Sequence, residues 1–481
     1  MLLSELIKRL DIIESNVPAD AEITGLSDTN CRIEQGNLFI CIVGLRWDGH
    51  IFISEALSKG AAAVVVQTRP EDTSIPYILV ESTRRAAAFL WMAWYNNPAD
   101  NLKIIGITGT NGKSSTLCML KNIFDSCGQK TAAIGTIKYI IGDIEYEAVL
   151  TTPDPKDLAK LFAQIRDAGI EYVIMEVSSH SLEFEKVAAL SFELGIFTNL
   201  TQDHLDLHKS MESYMNAKAK LFSMCKLGLF NLQDPASQKI IEQSTSDNYT
   251  YAIEDNNADF VAKEAKYKSV DGVEYEMLSC DDIFRINSRI PGKFAVYNTL
   301  AAAAAAKLMG ITDTAIIKGI YDTTVKGRIE KLDIPCVDYS VIIDYAHTPD
   351  ALTNVLSAIN EFIEGRVITL FGCGGDRDKS KRPIMGEIAS ENSDYCIVTS
   401  DNSRSEEPAA IIADIAAGIK KKNYTIIEDR TEAIKHALSI AKRGDAILLA
   451  GKGHEEYVKD KNGTSYYSER DVVFEALGIK K

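Results

Sequence analysis

Residues 103–116 read Lys-Ile-Ile-Gly-Ile-Thr-Gly-Thr-Asn-Gly-Lys-Ser-Ser-Thr, and no other stretch constrains the fold as tightly. A β-branched apolar run ends in glycines, then a lysine, then hydroxyls, then a helical pattern from Leu117. The order predicts a strand, a phosphate-cradling loop and a helix N-terminus. Gly109 and Gly112 let the backbone curl so that its N–H groups face phosphate oxygens, with Thr110 and Asn111 between them. The helix that follows presents unpaired donors and a partial positive charge to the same anion. Lys113 reaches the outer phosphates, and Ser114 or Ser115 holds Mg²⁺. Gly106 departs from the common phosphate-loop pattern, standing one residue too far upstream of Gly112-Lys113.

At 481 residues the chain exceeds one ordinary core and suggests three domains of α/β type. The turn residues Asn96-Asn97-Pro98-Ala99 mark a first boundary, giving domains at 1–98, 99–330 and 331–481. In the first, Phe39–Val43 and Ala62–Gln67 read as strands, Asp48-Gly49-His50 as a turn and Met1–Leu10 as a short amphipathic helix. In the second, Lys103–Thr108, Tyr172–Val177 and Gly195–Asn199 read as strands of a parallel sheet. The third looks Rossmann-like, with strands at Val341–Asp344, Arg366–Phe371, Tyr395–Thr399 and Ala446–Ala450. It lacks the dinucleotide fingerprint, so no nicotinamide cofactor is expected. Leu300–Ala306 reads as an alanine-rich helix interior.

Composition narrows the partners. A net charge of −16 disfavours nucleic acid and anionic membranes, and no apolar run is long enough to span a bilayer. Nine cysteines without a Cys-x-x-Cys pair argue against a disulfide framework or zinc site and for a reducing cytoplasm.

Polar clusters follow the predicted strands, the rim where parallel sheets bind substrates. Glu176 closes one strand as a natural Mg²⁺ ligand, although a rim salt bridge would explain it alone. The next strand leads into Thr198-Asn-Leu-Thr-Gln-Asp-His204-Leu-Asp206, where a metal role for His204 outweighs a buried structural one. Tyr214-x-x-Ala217-Lys218 reads on periodicity as an amphipathic helix with surface lysines. In the third domain lie Asp344-Tyr-Ala-His347, Gly374-Gly-Asp376-Arg377-Asp-Lys379-Ser-Lys381-Arg382, Ser400-Asp401-Asn402-Ser403-Arg404 and Gly451-Lys-Gly-His-Glu455. Arg377 and Arg404 suit a carboxylate, which a guanidinium grips in bidentate fashion, and Glu455 suits an ammonium.

Taken in order, these motifs resemble the Mur ligases of peptidoglycan precursor synthesis. The resemblance spans essentially the whole chain and also rests on Thr151-Thr152-Pro-Asp154, Glu176-Val-Ser-Ser-His180, Gly292-Lys-Phe-Ala-Val-Tyr-Asn298 and Gly327-Arg328. It is strongest to members that add the third amino acid of the peptide. It implies a UDP-binding first domain, a central ATPase domain and a third domain that takes the amino acid. It implies ATP and Mg²⁺ as cofactors, a carbamylated Lys218, and catalytic roles for Lys113, His204 and Lys218. Asn298, Arg328 and His347 would serve the nucleotide, and Ser114, Glu176, His204 and Lys218 the metal. Asn30, Thr151, Thr152, Ser178 and Lys186 would hold a UDP-MurNAc-dipeptide. Arg377, Asp401, Asn402, Ser403, Arg404, Gly451 and Glu455 would hold the free amino acid, with hinges near residues 99 and 330.

Three positions depart from the family pattern. Thr29-Asn30-Cys31 stands where Asp-Ser-Arg is usual, Lys186 replaces an arginine, and Asp401-Asn402-Ser403-Arg404 replaces Asp-Asn-Pro-Arg. Arg404 favours meso-diaminopimelate over L-lysine, because a distal carboxylate needs a cation. The resemblance points to a cytoplasmic monomer. The competing expectations are a diverged paralogue adding another amino acid, and a folylpolyglutamate- or cyanophycin-type ligase of the same fold.

Overall fold

The computed structural model describes residues 1–44, 47–267, 272–280, 282–361 and 363–479. Three sheets organise the chain, a three-domain α/β architecture. Their strands fall within 12–80, 103–288 and 330–450.

The first sheet has five strands, in the order Ile12–Ser15, Tyr77–Val80, Ala63–Val66, Asn37–Ile40, Gly25–Ser27. Only the pairing of Ile12–Ser15 with Tyr77–Val80 is antiparallel. Ala63–Val66 and Asn37–Ile40 are buried at every position, as parallel strands covered on both faces must be.

The central sheet has eleven strands. Every pairing from Thr131–Ile134 across to Phe260–Tyr267 is parallel, and antiparallel hairpins extend both ends. The strand Lys103–Thr108 lies between Phe192–Phe197 and Tyr172–Glu176, so the loops after all three open on one rim. Gly106 belongs to this strand and not to the loop. A Cβ there would stand 2.8 Å from two carbons of the Phe192 ring and 3.3 Å from Leu221, so packing requires a glycine. The alanine-rich segment lies in the helix Lys293–Leu308, where Ala301–Ala306 are wholly buried. Small side chains let it lie against the phosphate-loop helix Lys113–Ser126 while keeping high helix propensity.

The third sheet has six strands, in the order Glu330–Lys331, Ser340–Asp344, Ala446–Ala450, Val367–Phe371, Tyr395–Val398, Tyr424–Ile426, with only the first pairing antiparallel. Separate apolar clusters cover its two faces. A hairpin, Tyr457–Asp460 with Gly463–Tyr466, projects beyond it. All nine cysteines are free thiols. Among the described residues no helix is long and apolar enough to cross a membrane.

Several local expectations shift. Only Leu3–Leu6 is helical at the N-terminus, held by Leu3 and Leu6 in the core and by the terminal ammonium donating to Ile23 O at 2.9 Å. Asp48 accepts from His50 N at 2.9 Å, which turns the expected turn into a 3₁₀ helix, Gly49–Phe52. Residues 45 and 46, just upstream, lie outside the described ones. The phosphate-loop helix starts at Lys113, not Leu117, because its first turn is written in loop residues that carry no apolar periodicity. The strand expected at Gly195–Asn199 spans Phe192–Phe197, leaving Thr198 and Asn199 free to bond the loop.

Gly106→Ala should fold but lose about 1–3 kcal/mol to overpacking against Phe192. Urea unfolding at equilibrium measures this, and an unchanged midpoint would show that the Phe192 ring yields freely.

Candidate active site

Hydrogen bonds and close contacts from the neighbouring strand pin the phosphate loop. Gly109 and Gly112 have φ of 146° and 86°. A Cβ would stand 1.9 Å from Thr198 Oγ1 at the first and 2.4 Å from Asn298 Oδ1 at the second. Thr110 N donates to Asn199 O and Asn111 N to Asn199 Oδ1, both at 2.9 Å. Thr198 Oγ1 and Asn199 Nδ2 donate to Asn111 O at 2.6 and 3.1 Å. Lys113 opens the helix, and its Nζ donates back to Gly109 O at 2.9 Å and Thr110 O at 2.8 Å.

Lys218 donates to the same oxygen, Gly109 O, at 2.8 Å. It is 1% exposed, lies 4.3 Å from the Tyr214 ring centroid, and is no surface lysine. Burial, then the charge of Lys113, pushes its ammonium well below the usual lysine range. Burial also lowers Lys113, opposed by Glu176 and Asp203. For Lys218 this direction favours the neutral amine, which is a nucleophile.

Glu176 is buried at the end of its strand and accepts four hydrogen bonds by its two oxygens and its carbonyl. Ser114 Oγ and Thr136 N reach Oε1 at 2.8 and 2.9 Å, Thr136 Oγ1 reaches Oε2 at 2.9 Å, and Thr152 Oγ1 reaches the carbonyl at 2.9 Å. His204 adopts a φ of 54°. Burial holds its imidazole well below the usual range. Asp203 lies between histidines, 3.5 Å from His204 Nε2 and 3.9 Å from His347 Nε2. Of the four expected metal ligands, Ser114 and Glu176 touch directly, whereas His204 and Lys218 are held by Asp203 and Gly109. Among the described residues no three His, Cys, Asp or Glu side chains converge on a metal position.

The third domain brings the other half. A cavity of about 260 Å³ is bounded by Lys113, Ser114, Glu176 and His204 on one side and by Arg377, Asn402, Arg404 and Glu455 on the other. Thr151, Ser178, Arg328, His347, Asp401 and Gly451 also line it. Glu455 is tightly held: Asn402 Nδ2 donates to Oε2 at 2.8 Å, and the Tyr457 and Tyr345 hydroxyls reach Oε1 at 3.2 and 3.4 Å. Burial raises its carboxyl above the usual range. Lys452, wholly buried, lies 3.4 Å from Asp401 Oδ1 and donates to Asn402 Oδ1 at 3.1 Å. Arg404 Nη1 donates to Gly375 O at 2.7 Å, and its own N–H donates to Lys459 O of the projecting hairpin at 3.0 Å. A second cavity of about 350 Å³ shares Asn111, Gly112 and Arg328 and is lined by Ser115, Asn298 and Asp350.

Other expected residues lie apart. Asn30 lines none of these spaces; its Nδ2 donates to Glu55 Oε2 at 3.1 Å. Thr152 and Ser403 are buried behind the cavity wall. Lys186 pairs with Asp154 at 2.6 Å and borders a third cavity of about 560 Å³, with Asp28, Trp47, Arg84 and Phe184.

Residues 107–306 match the Mur ligase middle domain, and 327–453 the Mur ligase glutamate ligase domain. The chain belongs to the Mur ligase family. It is 44% identical to the UDP-N-acetylmuramoyl-L-alanyl-D-glutamate–2,6-diaminopimelate ligase of Clostridium perfringens, with 99% of each chain covered. Identity to the ligase of the same name from Caldanaerobacter subterraneus is 45% over 95% of each chain. A solved structure of a ligase so named superposes with a TM-score of 0.71 at 29% identity, covering 99% of both chains.

Against this Mur ligase framework, the sequence reading missed residues that face the same cavity or buttress it. Thr136 clamps Glu176 but sits in no recognisable motif. Asp350, one residue after Pro349, accepts from Asn111 Nδ2 at 2.8 Å across the domain border. Tyr345 and Lys452 each lie inside a cluster already noted, and their adjacency to His347 and Glu455 was the available signal.

The basic run also contains a purely structural cation. Arg382 is 1% exposed and bonds Glu406 and Asp414 at 2.9–3.0 Å. Its hydrogen bonds hold the Glu406 carboxyl at about 2, below the usual 4.5. A depressed carboxylate stabilises the fold above its unfolded value and loses that contribution as pH falls through the folded one. Wild-type stability should therefore fall more steeply than that of Arg382→Met between pH 4.5 and 2. Chemical denaturation across that range checks this, and parallel slopes would show that the pair contributes nothing.

Proposed function

We propose that this chain is the ATP-dependent ligase that joins 2,6-diaminopimelate to UDP-N-acetylmuramoyl-L-alanyl-D-glutamate in peptidoglycan precursor synthesis, working as a cytoplasmic monomer. The observation that carries the reading is the single cavity walled by the phosphate loop and Glu176 on one side and by Arg404 and Glu455 on the other. Near-full-length identity to ligases of that name supports the same substrates.

A carboxylate is a poor electrophile, so ATP first phosphorylates the acceptor's D-Glu side chain. Lys113 and the N-terminus of its helix receive charge on the moving phosphoryl group. The adenosine side fits the second cavity, against Asn298 and between Arg328 and Asp350. Thr151 and Ser178 line the cavity where the acceptor carboxylate enters. Lys186, beside the third cavity, serves the distal part of the same substrate.

The amine of the second substrate then attacks the acyl phosphate, and the tetrahedral intermediate expels phosphate. Glu455 holds an ammonium, and Arg377 and Arg404 hold a carboxylate. Ser403 leaves the loop without the fixed φ of a proline, but hydrogen bonds from Arg404 N and Lys459 N to the hairpin and to Asn402 restore its rigidity.

The donor chemistry fits Mg²⁺ in part. Ser114 and Glu176 offer the hard oxygens it needs, while an unmodified Lys218 offers a cation. Carbamylation of Lys218 replaces that cation with oxygen donors, and its depressed ammonium supplies the neutral amine that reacts with CO₂. With His204, these groups would hold the ion, which supplies charge neutralisation.

Purified protein should hydrolyse ATP only when both the UDP-MurNAc-dipeptide and diaminopimelate are present; hydrolysis indifferent to the amino acid would sink the reading. In the same assay diaminopimelate should exceed L-lysine in kcat/KM by at least about 100-fold, given a carboxylate-binding arginine pair. Preferential lysine incorporation would overturn the amino-acid assignment alone. Lys218→Ala should lose activity by at least about 100-fold and regain part of it with added short carboxylates. No rescue by any carboxylate would count against the carbamate.

A further inference from the structure

Lys379, Lys381 and Arg382 form one basic run, yet their side chains have three different fates. Lys379 is exposed and pairs with Glu406 at 3.1 Å. Arg382 is buried, and its Nη1 and Nη2 are taken by Glu406 and Asp414. Lys381 is 5% exposed and lines the 260 Å³ cavity. Among the described residues its one ion pair is with Asp203 Oδ1 at 3.8 Å, too long for a hydrogen bond. An ammonium carries three donors, and among the described residues none accepts a hydrogen bond from Lys381, which faces the cavity with that capacity unspent.

Its position in the helix sharpens the point. Lys381 is the first residue of the twelve-residue helix Lys381–Asn392, where a cation opposes the helix dipole. Lys113 occupies the same first position in Lys113–Ser126. Two helices thus each open on a lysine at one cavity, Lys113 half-buried and Lys381 buried. Both arrangements are unfavourable until an anion with several oxygens lies between them.

The surroundings say which anion. Asp203, the partner of Lys381, also neighbours His204 and His347, and its charge acts on Lys113 and Lys218. Arg404 lies in a different field, set by Arg377, Asp401, Glu455 and Tyr457. Lys381 therefore belongs to the phosphate side of the cavity and not to the amino-acid side.

We propose that Lys381 is a further catalytic residue, a second phosphate lysine that contacts the transferring phosphoryl group from the third domain, with Asp203 as its positioning residue. The inference rests on the ligase reading above. A carboxylate oxygen of the acceptor forms a bond to the γ-phosphorus, and the bond to the β–γ bridging oxygen breaks, its electron pair leaving with ADP. Lys381 stays protonated throughout and stabilises the equatorial oxygens. Because it comes from another domain than Lys113, charge neutralisation is complete only when the domains are docked.

The test compares K381M, K381Q and K381R in the full chain with wild type. In K381M and K381Q, kcat should fall by about 100-fold while KM for diaminopimelate stays within about threefold, and K381R should recover at least a tenth of the rate. Positional isotope exchange in ATP, run with acceptor and without amino acid, should fall in parallel with kcat. An unchanged kcat, or a KM for diaminopimelate raised about tenfold with isotope exchange intact, would overturn the proposal. Binding of ADP with aluminium fluoride, a mimic of the moving phosphoryl group, should weaken about tenfold in K381Q while ADP alone binds as before. Equal weakening of both, or of neither, would also overturn it. This last readout needs no amino acid, so a wild type without ligation would sink the ligase reading and leave the contact of Lys381 with phosphate still measured.

Discussion

Two amines, that of half-buried Lys113 and that of buried Lys218, donate to one carbonyl oxygen, that of Gly109. Burying one lysine without a carboxylate in contact is costly, and burying two side by side adds their repulsion. The polar architecture around the loop answers that cost. Gly109 takes a conformation that aims its carbonyl at both, Thr198 and Asn199 fix the loop from the next strand, and Glu176 and Asp203 oppose the charge without touching either amine. Such a site holds its donors in place before it is filled, at a cost in burial that an incoming polyphosphate offsets.

The same logic extends across the domain border. Asn111 in the phosphate loop donates to Asp350, Gln202 donates to Ser380, and Asp203 approaches His347 and Lys381. None of these is an apolar contact. Phe294 of the helix Lys293–Leu308 adds an apolar contact with the third domain's core, but the polar part of the border can part and reform without exposing that core.

How much of this was legible in the sequence depends on the kind of signal. Strands buried on both faces, such as Lys103–Thr108 and Ala446–Ala450, carry continuous apolar runs and stand where the sequence places them. Spacing located the glycine-lysine loop but not the start of its helix, since Lys113, Ser114 and Ser115 have no apolar period. Periodicity misplaces Lys218, because the helix Met211–Ala219 buries a lysine beside Tyr214 and Ala217, and only the motif around it suggested otherwise. Nothing local separates Lys381 from Arg382. One is neutralised in direct contact by Glu406 and Asp414, 24 and 32 residues further along the chain, and the other is aimed at a cavity that the central domain helps to wall. Asn30 is a position aligned by motif, and the fold engages its amide with Glu55.

The eleven-stranded sheet leaves one edge on the surface at Ile144–Glu147, exposed along its whole length. Its apolar members, Ile144 and Tyr146, alternate with Glu145 and Glu147. An open edge with apolar side chains is a template for another strand, and unlike a barrel an open sheet cannot hide it. Glu145 is paired with Lys138, which leaves Glu147 and the net charge of −16 to disfavour the approach of a second copy. The acidity that first spoke against nucleic acid thus also works as a solubility device, keeping a wide sheet from growing beyond its own molecule.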